Sequence, residues 1–86
     1  MTISELLAAS KQAHLDYRAA IRDQKLNEAH AALARAAALR QQAHDTDPLH
    51  RDGSWGEDAG THALGTIPHM TLHESLMDFY RAELAK

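Results

Sequence analysis

Residues 23–27 read Asp23-Gln24-Lys25-Leu26-Asn27, and the reading of this short polar stretch decides the fold. On either side, apolar residues recur at three- and four-residue steps, the pattern of a helix with one buried face. If the stretch breaks the helix, the chain folds back as an antiparallel hairpin. If it does not, residues 2–45 form one rod about 65 Å long at 1.5 Å per residue, which needs a partner chain to bury its stripe. The stretch contains neither Gly nor Pro, but it is polar, and Asn27 suits a helix N-cap. A break here gives helices over 2–24 and 27–45.

Upstream, Thr2 and Glu5 stand in capping-box spacing, with Ser4 as a rival cap. Ile3, Leu6, Leu7, Ser10, Ala13, His14, Tyr17, Ala20 and Ile21 form the first stripe. Downstream, Ala29, Ala32, Leu33, Ala36, Leu39, Arg40 and Ala43 form the second. Alanine at successive inward positions lets two helix backbones approach closely. Asp45-Thr46-Asp47-Pro48 ends the second helix, because proline disfavours helical geometry in the residue before it. The stretch from Ala13 through Tyr17, Ala20, Ala29, Leu33 and Ala36 to Asp47-Pro48 resembles one tetratricopeptide helix pair. That architecture needs about three repeats and one copy stands here, so the likeness implies hairpin geometry alone.

Residues 46–67 hold all four Gly and read as an irregular crossover. Leu49, Trp55, Leu64 and Ile67 are its apolar handles. Residues 68–85 read as a third helix, with Pro68 in its first turn or Thr71 capping it and Glu74 in capping-box spacing. Leu72, Leu76, Phe79, Tyr80 and Leu84 make its stripe, with Met77 at the edge. The expectation is an all-α single domain over 1–86: an N-terminal antiparallel hairpin with the C-terminal helix packed across it.

Composition narrows the function. The chain has 86 residues and a formal charge of −3 with His neutral, and its pI is ≈ 6.1. That balance argues against nucleic acid as a partner and against docking on anionic membranes. Protonation of the seven His between about pH 7 and 5.5 reverses the sign of the charge. There is no Cys, which excludes disulfides, thiolate metal sites and thiol catalysis. The N-terminus lacks a basic segment followed by an apolar run, so a cytoplasmic protein is expected. Large apolar residues are sparse and the core is thin, so pairing with a second copy is a cheap remedy.

Four constellations bear on chemistry. His69 and His73 are spaced for one face of a helix, as in helical two-His metal sites. His62, His50, His44, Asp47 and Asp52 are the further ligand candidates, and zinc or another divalent metal is the cofactor such a set implies. His14 and His30 are placed to face each other across the hairpin. The acids Asp45, Asp47, Asp52, Glu57 and Asp58 lack the alternate spacing of a calcium loop and read as a solvated acidic stretch. Trp55, flanked by Ser54 and Gly56, either folds back as a lid on the hairpin or stands out as an interface anchor. No nucleophile elbow or phosphate loop is present.

The expectation is therefore a non-enzymatic protein-interaction module, homodimeric or bound to a larger protein. Small accessory proteins of phages and mobile elements share this profile of size and composition. The partner-binding residues expected are Trp55 and, on the third helix, His73, Met77 and Tyr80. The alternative is a metal protein using His69 and His73, with His62 completing the site.

Overall fold

The computed structural model describes residues 1–56 and 71–86. Helix α1 spans Ile3–Arg22. Its first turn closes as the capping box predicts: the Glu5 amide donates to Thr2 Oγ1 at 3.1 Å, and the Thr2 amide donates to Glu5 Oε1 at 2.9 Å. These bonds hold the Glu5 carboxyl below its ordinary pKa.

The chain does break where the polar stretch predicts, and the rod is not formed. The mechanism differs from the one expected. Gln24 takes a left-handed conformation with φ 60. Its amide donates to the Ile21 carbonyl at 3.1 Å, and the Lys25 amide donates to the Ala20 carbonyl at 2.8 Å. That pair of bonds is a Schellman closure, which usually places glycine at the left-handed position. Helix α2, Leu26–Thr46, then starts with Lys25 as its N-cap and no side-chain capping bond. Asn27 is therefore inside the helix and caps nothing.

α1 and α2 pack as a hairpin along a seam of small residues. Ala13, Ala20, Ala29, Ala32, Ala36 and Ala43 are all buried, Ala36 and Ala43 completely. The Ser10 hydroxyl, also buried, donates to the Ala36 carbonyl across the seam at 2.8 Å. A hydroxyl taken out of water needs such a partner, and here it ties the two backbones together.

After α2, residues 53–55 form a single 3₁₀ turn. Helix α3 spans Thr71–Leu84 and packs on α2. Two apolar clusters result. In one, Met77 and Tyr80 of α3 press on Ala13, Leu33 and Ala36. In the other, Trp55 lies on Ile3, Leu6 and Ala43 at the open end of the hairpin. Trp55 is the lid of the two readings open to it.

α3 buries the expected stripe in part: Tyr80 is inside, and Leu76 and Leu84 pack against the same cluster. His73, Met77 and Tyr80 are buried, whereas Leu72 and Phe79 stay 40% and 38% exposed. Among the described residues, no helix is long and apolar enough to cross a membrane.

Candidate functional site

Asp47, at the C-cap of α2, organises the chain that follows it. Its carboxylate accepts from the Arg51 amide at 3.1 Å, the Asp52 amide at 2.9 Å and the Trp55 indole N–H at 2.7 Å. Burial alone raises the pKa of Asp47, but these hydrogen bonds outweigh it and hold the carboxyl below its ordinary value. Asp47, half-buried, thus organises the turn, while its acidic neighbours Asp45 and Asp52 are exposed, as a solvated stretch requires. Asp52 repeats the device on a smaller scale, accepting from the Ser54 amide at 2.8 Å.

The turn so fixed carries His50 inward. His50 is 1% exposed and adopts φ 51, a conformation that costs a non-glycine residue about 1–2 kcal/mol. The Trp55 indole lies flat on its ring, centroids 3.6 Å apart and planes 5° apart. His50 Nε2 meets His44 Nδ1 at 3.1 Å. His44 stacks on His73 of α3, with centroids 4.7 Å apart. The three imidazoles offer nitrogens that all lie within 4.8 Å of one another.

Arg40 closes the cluster from the hairpin side. Its Nε donates to His73 Nδ1 at 3.1 Å, and its guanidinium carbon lies 5.8 Å from the Trp55 ring centre. Burial, reinforced by Arg40, pushes the pKa of His73 down to about 4. His73 is therefore neutral at physiological pH, with a lone pair on one ring nitrogen.

A second feature lies on the opposite side of α3. No Cα of α1 approaches a Cα of α3 within 8 Å, and a groove of about 500 Å³ runs between the two helices. Leu7, Leu15, Leu72 and Leu76 line it together with Lys11, Arg18 and Arg40. Side chains bridge it: His14 Nδ1 meets the Tyr80 hydroxyl at 2.9 Å, and Tyr17 meets Phe79 edge to face at 6.2 Å.

The expected site residues are distributed differently from the sequence reading. Trp55, His73, Met77 and Tyr80, expected to contact a partner, are all inside the protein, each at most 5% exposed. Trp55 and Tyr80 nonetheless line the groove between α1 and α3, and His73 and Met77 border the cleft beside His44. His69 and His62 lie outside the described residues, as do Glu57 and Asp58. His44 and His50, two of the further ligand candidates, do converge with His73. His14 pairs with Tyr80 rather than with His30, which is exposed. The signal for the cluster was the pair of imidazoles flanking Asp47-Pro48, a turn that returns the chain toward the end of α2. No protein-family model, no curated protein and no solved structure significantly matches the chain.

Proposed function

We propose that the protein is a small non-enzymatic interaction module that pairs with a second copy of itself through the α1–α3 face. The observation that carries this reading is the groove between the two helices. Its walls are mixed, with four leucines interleaved with Ser10, Lys11, Arg18 and Arg40, and two of those leucines, Leu15 and Leu72, are 44% and 40% exposed. Phe79, 38% exposed, continues the apolar strip past His14. Exposed apolar residues gathered on one face mark an interaction surface, and a groove of this kind accepts the apolar side of a helix.

The chain itself is the simplest occupant. Groove and exposed strip lie on the same two helices, as a two-fold pairing requires. A core built largely on alanine also gains from the added burial.

Sedimentation equilibrium over a range of concentrations tests this. Self-association gives a mass near twice the 9.5 kDa of one chain, returning to a single chain in Leu15→Glu and Leu72→Glu. Both changes are at exposed positions, so helical content stays unchanged. A single-chain mass at every concentration ends the proposal.

A further inference from the structure

We propose that His44, His50 and His73 form a binding site for one divalent transition-metal ion, zinc foremost. The ligands come from three separate segments: the last turn of α2, the turn after it, and the first turn of α3. Zinc is held by imidazole nitrogens at about 2.0–2.1 Å, which sets the edge of a tetrahedral site at roughly 3.3 Å. The His44–His50 nitrogen pair stands at 3.1 Å, a separation that suits two nitrogens sharing an ion as well as two sharing a proton. No pair is wider than 4.8 Å, so closure takes a movement of roughly 1.5 Å, within reach of a ring rotation.

The surroundings position the rings. Asp47 holds the Trp55 indole N–H, and the indole lies flat on His50. The left-handed backbone of His50 is kept despite its cost, and such strain is retained where side-chain placement is over-determined. Beside His44 and His73 a cleft of about 360 Å³, bordered by Gln41, Glu74 and Asp78, opens to solvent and leaves room for a fourth ligand. An all-imidazole donor set selects zinc, copper or nickel over calcium or magnesium. The one lone pair of the neutral His73 ring lies on Nδ1, where it accepts from Arg40. The ion would therefore either displace Arg40 from Nδ1 or bind Nε2 after the ring proton moves from Nε2 to Nδ1, and either route breaks the Arg40 contact.

The test is a titration of the untagged full chain with zinc, followed by calorimetry and by competition with a coloured chelator. The expected result is one zinc per chain and a higher melting temperature at one equivalent. Nickel quenches the fluorescence of Trp55, the chain's one Trp, at the same equivalence. His44→Ala, at a half-buried position, keeps the helical circular dichroism and loses about tenfold or more in affinity. The double variant His62→Ala/His69→Ala and the exposed-site variant His30→Ala retain full affinity. Binding no tighter than about 0.1 mM, affinity unchanged in His44→Ala, or affinity lost in His62→Ala/His69→Ala overturns the proposal.

Discussion

The indole N–H of Trp55 donates to Asp47 Oδ2 at 2.7 Å, so the one Trp of the chain is fixed both by its face, on His50, and by its polar edge. The two restraints are separable. Trp55→Ala removes the lid from Ile3, Leu6 and Ala43 and is expected to cost about 3–5 kcal/mol. Trp55→Phe keeps an aromatic face and loses the hydrogen bond to a charged acceptor, at about 1.5–3 kcal/mol. Urea unfolding followed by circular dichroism gives both numbers. Equal losses in the two variants would show that the hydrogen bond, not the packing, holds the lid.

The hairpin turn offers a gain instead of a loss. Gln24 sits at φ 60 in a closure that suits glycine. Relieving a left-handed residue recovers about 1–2 kcal/mol, and the extra freedom of an unfolded glycine returns part of it. Gln24→Gly is expected to stabilise the protein by about 0.5–1 kcal/mol. The same change at Lys25, the next residue, relieves no positive φ and should destabilise. A lower denaturation midpoint for Gln24→Gly would contradict the turn geometry.

Stability of the metal-free protein should fall off at both ends of the pH scale. Burial, with help from Arg40, drives His73 from 6.5 to about 4. Burial and then Arg18 lower His14 below 6.5 as well. The unfolded chain therefore takes up protons near pH 6.5 that the native one refuses, and stability drops as pH falls from there toward 4. Tyr80 behaves oppositely: burial raises its pKa above 10.0, against the smaller pull of Arg40 and Ser10. The native state keeps that proton longer than the unfolded one, so stability drops again as pH rises past 10. Denaturant midpoints at about pH 5, 8 and 11, with a chelator present, should be highest at the middle value. A midpoint unchanged from pH 8 to pH 5 would refute the assignment for His73.

Local signals are legible in the sequence alone. Thr2 and Glu5 announce their capping box, alanine spacing announces the seam, and the polar stretch at 23–27 announces the bend. What periodicity missed was the rotation of α3. The stripe Leu72, Leu76, Phe79, Tyr80 and Leu84 turns Tyr80 inward as found, but it scores His73 as polar and leaves it outside. In the folded protein His73 has Arg40 and two imidazoles as partners, so its burial costs little. Such a partner is invisible to a pattern that scores each residue alone. All three members of the triad stand among the ligand candidates, but they come from three segments and no fixed spacing encodes their meeting. The Schellman closure was hidden because glutamine gives no hint of a left-handed residue.

The seam of small residues between α1 and α2 constrains the descent of this chain. At Ala13, Ala32, Ala36 and Ala43, each no more than 3% exposed, a larger side chain forces the two backbones apart, and glycine weakens the helix by about 1 kcal/mol. Drift is thereby turned away from the middle of the hairpin and onto its outer faces and the connection to α3. Related chains would diverge in almost every surface feature and still be recognisable by the same ladder of alanines.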